Sequence, residues 1–252
     1  MSTVTAPHWP GVPASATTVV TEHLRLTQLA IDQSSHLRQP ALVVGPPGSG
    51  KTFAITLALN SLGPAWVRYR ADHTPVGNAL LLSCLQLLGE PVPQRVQDRT
   101  QENLSALLAQ VLTDRPHVLW VDEAQNLSRK ALRQLRHVVD TPGIQSTLVL
   151  SGEKSTIGLL RKHERPLLSR VARTVGFELL DPDTTLVPTL RAYHPLYAET
   201  QGRVLRSLDE RRCRGSFREY AKVLEFVAST FPGAGRIEQE MLTPIRTALG
   251  YW

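Results

Sequence analysis

Two short stretches carry residue types that do chemistry at a phosphate. "GPPGSGKT" at 45–52 matches the pattern G-x-x-x-x-G-K-[ST] at every fixed position. Its glycines, Gly45, Gly48 and Gly50, let backbone N–H groups wrap phosphate oxygens, and Lys51 is spaced to reach the β- and γ-phosphates. Thr52 is a candidate magnesium ligand, and a helix opening at this point adds its dipole. Pro46, Pro47, Ser49 and Phe53 complete the run expected to contact nucleotide. The second stretch, "HVLWVDEAQNL" at 117–127, sets Asp122 and Glu123 side by side after four apolar residues. An adjacent acid pair ordinarily marks a solvated turn, because charges are mostly exposed. A phosphate cradle in the same chain changes that reading. Magnesium needs a carboxylate on a neighbouring strand end, which Asp122 supplies, and Glu123 is then placed to orient an attacking water. The expected cofactors are ATP and Mg2+, and the expected activity is ATP hydrolysis.

These groups need a scaffold, and the hydrophobic pattern supplies one. "ALVV" (41–44) and "VLWV" (118–121) are continuous apolar runs of strand length, which predicts strands buried on both faces. "AWVRYR" (65–70), "STLVLSG" (146–152) and "TVGFELL" (174–180) read as three more strands. Between them, helical spacing appears in "TTVVTEHLRLTQLAIDQSSHLRQ", "FAITLALNSL", "VGNALLLSCLQLLG", "ENLSALLAQVLTD" and "SRKALRQLRHVVD", the last with Ser128 as N-cap. "EPVPQRVQDRT" reads as a loop. Strands alternating with helices predict an α/β fold with a parallel sheet flanked by helices. From "DPDTT" at 181 onward β signals vanish. The expected organisation is a flexible arm (1–16), an α/β nucleotide-binding domain (17–182) and a small C-terminal helical lid (183–252).

The ordered set "GPPGSGKT", "VLWVDEAQNL", a polar residue ending the next strand in "LVLSG", and "GSFREY" in the helical segment resembles the AAA+ superfamily of P-loop ATPases. That resemblance implies that Ser151 serves as sensor 1 on the γ-phosphate side and Arg218 as sensor 2. It also implies an arginine finger, acting on the neighbouring subunit's γ-phosphate, just before the fifth strand. "RKHERPLLSRVARTVGF" offers Arg165, Arg170 and Arg173, with Arg170 favoured by position and Arg173 next.

Within the superfamily, "DEAQNLSRKALRQLRHVVD" followed by "TLVLSGEK" is similar to the MuB, TnsC and TniB group of transposition regulators, over roughly residues 20 to 230. The similarity implies subunits that assemble with ATP into a ring or helical filament on duplex DNA and mark a target for a partner transposase. Candidate phosphate-contacting residues on the loops expected to face the assembly axis are Arg68, Arg70, Arg95, Arg99, Arg129 and Lys130. Binding through such residues is sequence-tolerant and salt-dependent.

Composition agrees with a polyanionic partner: 28 basic against 22 acidic residues give a formal charge of +6. Cys84 and Cys213 lack metal or redox spacing and read as small packing residues of a reducing compartment. No segment approaches the ~20 apolar residues of a membrane span, and "MSTVTAPHWPGVPASA" lacks the basic flank and apolar core of a secretory signal. A cytoplasmic location without membrane contact is expected. Two rival functions share the ATPase core. One is a DNA-independent scaffold or motor of a secretion or signalling assembly. The other is an origin-binding initiator, ranked third because only about twenty residues follow "EFVASTF", where a winged-helix domain is normally appended.

Overall fold

The chain alternates helix and strand through its first two thirds. Helix α1 (Glu22–Leu37) leads into β1 (Ala41–Val44), α2 (Lys51–Leu62), β2 (Trp66–Arg70), α3 (Ala79–Leu87) and α4 (Gln101–Asp114). Then follow β3 (Val118–Asp122), α5 (Arg129–Asp140), β4 (Thr147–Gly152), α6 (Ser155–His163), α7 (Arg165–Ser169) and β5 (Arg173–Gly176). The structure, a computed structural model, describes residues 16–62, 65–71, 77–115 and 117–250. Most of the expected arm, residues 1–15, lies outside the described residues.

All strand pairings are parallel, in the order β2-β3-β4-β1-β5. The continuous apolar runs are buried on both faces, as their lack of alternation predicted. Leu119 and Val121 of β3 face a cluster with Leu80, Leu104, Leu108 and Leu132 from α3, α4 and α5. Val118 and Trp120 face the opposite way, toward Leu24, Ile31, Ile55 and Leu59 from α1 and α2. Ser128 caps α5 as expected, its hydroxyl accepting the Ala131 N–H at 3.1 Å.

One local expectation is corrected, and two local features are added to the sequence reading. The fifth strand ends at Gly176 rather than 180: β5 is an edge strand exposed at Arg173, Thr174 and Gly176, and the apolar residues after Phe177 pack elsewhere. The Pro-bearing loop contains a 3-10 turn at Val96–Asp98. The basic stretch before β5 is mostly helix, α6 and α7, with Pro166 in the first turn of α7, where a missing N–H costs nothing.

The described residues divide into two compact units: an α/β unit (23–45 and 51–177) and a helical unit of 178–250 joined by 46–50 and 16–22. The helical unit carries α8 (Leu186–Tyr193), α9 (Pro195–Ala198), α10 (Gly202–Leu208), a π-helical turn (Asp209–Cys213), α11 (Phe217–Thr230) and α12 (Leu242–Leu249). Leu190, Tyr197, Leu205, Tyr220, Leu224 and Ile245 form its core. Asp209 is buried there, accepting the Tyr220 hydroxyl at 2.6 Å and the Gly215 N–H at 2.5 Å. It therefore fixes the turn from which α11 starts.

Candidate nucleotide site

Within the α/β unit, β1 and β4 are neighbours whose onward connections leave toward opposite ends of the sheet. In open parallel sheets, the crevice outside the carboxyl ends of such a strand pair is where ligands bind. The phosphate-cradle sequence leaves β1 at this edge. The Gly45 N–H donates to the Gly152 carbonyl at the end of β4 (3.1 Å), and the Lys51 ammonium, at the start of α2, folds back onto the Gly45 carbonyl (2.8 Å).

Asp122 ends β3 only 4% exposed, so its charge needs partners. Its Oδ1 accepts the Ser151 hydroxyl at 2.5 Å and the backbone N–H of Glu123 at 3.0 Å, while Oδ2 pairs with the Arg68 guanidinium from β2. The Arg68 guanidinium also lies 4.5 Å from the centroid of the buried Trp120 ring, and the Trp120 indole N–H donates to the Ser151 hydroxyl at 2.7 Å. Trp120, Ser151, Asp122 and Arg68 thus form one network across three adjacent strands.

Glu123 has the left-handed backbone φ 56, ψ 42, which costs a non-glycine residue roughly 1–2 kcal/mol. Its carboxylate accepts the Gln125 side-chain N–H at 2.6 Å. The turn after it is anchored where the Asn126 amide donates to the Ala71 carbonyl at 2.7 Å. Strain held in place at an acidic residue is a recurrent mark of a functional site.

Within the helical unit, the tip of the cradle and the start of α11 meet. The Phe217 N–H donates to the Gly48 carbonyl at 3.0 Å, and the Ser49 hydroxyl donates to the Pro46 carbonyl at 2.9 Å. Gly48 has φ +77, and a Cβ there would lie 2.1 Å from the Ser216 hydroxyl oxygen and 3.4 Å from the Arg218 Cβ. Only glycine meets both demands. Arg218, exposed, consequently stands beside the cradle tip.

Residues 34–160, half of the chain, match a family model described as an AAA domain. The chain belongs to this family. No curated protein matches the sequence. Solved structures similar to this AAA domain include the ORC2 protein of Aeropyrum pernix in ADPNP–ADP complexes, at TM-score 0.65 and 13% identity over 90% of this chain and 66% of that one. The Aeropyrum pernix ORC1 protein in complex with DNA is similar at TM-score 0.64 and 19% identity, over 92% of this chain and 66% of that one. A RuvB variant of Thermotoga maritima matches at TM-score 0.58 and 18% identity, over 92% and 70%. The chain thus spans about two thirds of these structures' length. At such identities the likeness is one of fold, and that fold is the AAA+ P-loop α/β fold. The AAA domain is accordingly a P-loop ATPase.

Several side chains to which the sequence assigns roles have partners within this chain. Ser151, expected as sensor 1, donates its hydroxyl hydrogen to the Asp122 carboxylate. Arg68, a candidate DNA contact, is part-exposed and engaged with Asp122 and Trp120. Arg99 is half-buried and donates to the Pro93 carbonyl at 2.8 Å. Arg70, Arg95, Arg129 and Lys130 are exposed. Of the finger candidates, Arg170 pairs with Asp140 of α5, Arg173 donates to Gln33 of α1 at 2.6 Å, and Arg165 donates to the Arg161 carbonyl at 3.1 Å. In the helical unit, Arg212 of the π-helical turn pairs with Glu219 of α11 at 2.5 Å. Sequence reasoning missed Trp120 and Gln125 as site residues. The "DEAQ" string held Gln125 in plain view, but nothing local signals what its amide reaches.

Among the described residues no group of three or more His, Cys, Asp or Glu could hold a metal by itself. Magnesium takes most of its oxygens from water and substrate phosphates and needs only one or two protein ligands. Asp122 and the Thr52 hydroxyl are the hard-oxygen donors that the sequence leads one to expect for it. No helix among the described residues is long and apolar enough to cross a membrane.

Proposed function

We propose that this ATPase assembles on duplex DNA when it holds ATP and releases it after hydrolysis, as a regulator of transposition acting with a partner transposase. The observation that carries the DNA reading is the placement of exposed cations around the acidic strand end. Arg70 is the register partner of Asp122, and Arg129 with Lys130 opens α5 just after the 122–127 segment. Cations attached to the elements that hold the nucleotide give ATP a means of setting their presentation. An ATP-bound array repeats them along the backbone, and avidity then multiplies a weak single-subunit affinity.

In hydrolysis, Lys51 and the backbone of 45–52 hold the β- and γ-phosphates, and Asp122 with Thr52 would hold magnesium. A magnesium ion held there would supply positive charge against the phosphates. Glu123 takes the proton of the attacking water, and Arg170 of a neighbouring subunit completes the site.

The test is fluorescence anisotropy of labelled duplex with ATP, with ADP and without nucleotide, at two salt concentrations. ATP-dependent, sequence-tolerant binding that weakens steeply with salt and falls on joint replacement of Arg129 and Lys130 by Ala is the expected result. No ATP-dependent binding at low salt removes this reading in favour of a DNA-independent scaffold. A second reading, replication initiation, is favoured by the fold similarity to ORC1 and ORC2 proteins. It predicts strong preference for particular origin sequences, which competition with random duplex measures.

A further inference from the structure

Each acidic residue of the 122–123 pair is tied to the end of β4, and the two ties differ. Asp122 is reached directly by Ser151. Glu123 is reached only through Gln125. The Gln125 side-chain N–H donates to Glu123 Oε2 at 2.6 Å, and its Oε1 accepts the backbone N–H of Glu153 at 3.1 Å. A backbone N–H only donates, so the amide oxygen must face Glu153 and the NH2 must face Glu123. The amide has one orientation.

Its surroundings hold it there. Gln125 sits in the 3-10 turn Ala124–Asn126, whose Ala124 is fully buried and whose Asn126 is bound to Ala71. On the other side, Gly152 leaves the space the amide occupies: a Cβ at Gly152 would lie 2.3 Å from Gln125 Oε1. Between these anchors Glu123 has a left-handed backbone and one side-chain donor on its carboxylate.

We propose that Gln125 is a positioning residue for ATP hydrolysis, clamping the Glu123 carboxylate to the Gly152–Glu153 backbone at the end of β4 so that the base faces its water. This rests on the reading of Glu123 as the base. The clamp also makes the base sensitive to the β4 terminus, since a shift of the Glu153 N–H moves the amide and with it the carboxylate. Misplacement of a catalytic group by about 1 Å is enough to cost on the order of 100-fold in rate.

The experiment compares wild type, Gln125→Met, Gln125→Glu, Glu123→Gln and the double variant Gln125→Met/Glu123→Gln. It measures steady-state ATP turnover, equilibrium binding of a fluorescent ATP analogue and thermal unfolding. Methionine keeps the volume and removes both hydrogen bonds. Glutamate keeps the acceptor for Glu153 but sets a second carboxylate against Glu123. Expected for Gln125→Met is a kcat lowered roughly 10- to 100-fold with KM and nucleotide affinity within about twofold. Gln125→Glu should be no faster. In the Glu123→Gln background, adding Gln125→Met should change residual turnover by less than about twofold, because residues acting through one group are non-additive.

A Gln125→Met turnover near wild type, a loss confined to KM, or losses that multiply in the double variant overturns the clamp. If Glu123→Gln alone turns over like wild type, the base assignment falls and the clamp falls with it. An inactive Glu123→Gln beside a fully active Gln125→Met removes the clamp alone.

Discussion

The guanidinium of Arg68, on β2, lies against the carboxylate of Asp122, on the neighbouring strand β3, and over the ring of Trp120. It is the one cation paired with Asp122 among the described residues, and it occupies Oδ2 of the group assigned to magnesium. Arg68→Ala leaves a buried carboxylate without a countercharge, a change that costs a few kcal/mol when the pair is fully buried and less here, where Arg68 is part-exposed. The expected result is a thermal midpoint several degrees lower without nucleotide. Addition of magnesium and ATP should raise that midpoint more in the variant than in wild type, because the metal then meets a carboxylate with no competing cation. Thermal unfolding with and without magnesium and ATP checks both statements. Equal ligand-induced shifts would mean that Arg68 and the metal do not compete.

Ser151→Ala removes a donor from Asp122 and leaves the Trp120 indole N–H buried without an acceptor. Stranding a buried donor costs about 1–3 kcal/mol, so denaturant unfolding should show a loss of that size. Turnover should fall while nucleotide affinity holds, since the hydroxyl acts on the carboxylate and not on phosphate. A large loss of ATP affinity would instead restore the direct phosphate contact.

The strands β1, β3 and β4, the cradle and the acidic pair were all readable in the sequence because each signal is local. A continuous apolar run marks a strand buried on both faces, and G-x-x-x-x-G-K-T is complete within eight residues. The network around Asp122 was not readable, since Arg68 and Ser151 come from 54 and 29 residues away. Parallel pairing alone makes them neighbours. "TVGFELL" misled because apolar residues say that a segment is buried, not against what. Phe177 continues off β5 with its N–H on the Val44 carbonyl, while Leu180 donates to Gly215 within the helical unit.

His194 caps α9, its Nδ1 accepting the Leu196 N–H at 3.1 Å. That bond needs an unprotonated Nδ1, and burial holds the imidazole below its ordinary 6.5. A group whose folded-state value is depressed contributes stability that is present above 6.5 and lost as pH falls through the folded value. The protein should therefore lose stability on acidification from neutral pH through this histidine. His194→Asn, which keeps a capping oxygen and does not titrate, should flatten that part of the profile. Unfolding midpoints of both proteins between neutral and mildly acidic pH give the comparison, and parallel slopes would exclude His194 as a source.

Arg170 separates two explanations that one substitution alone confuses. Within its own subunit it joins Asp140 on α5 and donates to the Pro166 carbonyl at 2.6 Å, so it could simply fasten α7. The pair is part-exposed, 40% and 32% for the two side chains, and exposed ion pairs contribute only about 0–1 kcal/mol. Release of the guanidinium toward a neighbouring γ-phosphate is therefore cheap. If fastening were its role, Asp140→Ala and Arg170→Ala would impair hydrolysis alike, because each breaks the same pair. If it acts in trans, Arg170→Ala should abolish most turnover while leaving nucleotide affinity of the isolated subunit intact, and Asp140→Ala should hydrolyse at or above the wild-type rate. Mixing Arg170→Ala with Lys51→Ala adds a direct reading. The first retains its own phosphate cradle and the second retains its arginine, so mixed junctions regain one complete site and activity should reappear. With mixed oligomers demonstrated by native mass spectrometry, the absence of recovered hydrolysis would transfer the role to Arg173 or Arg165.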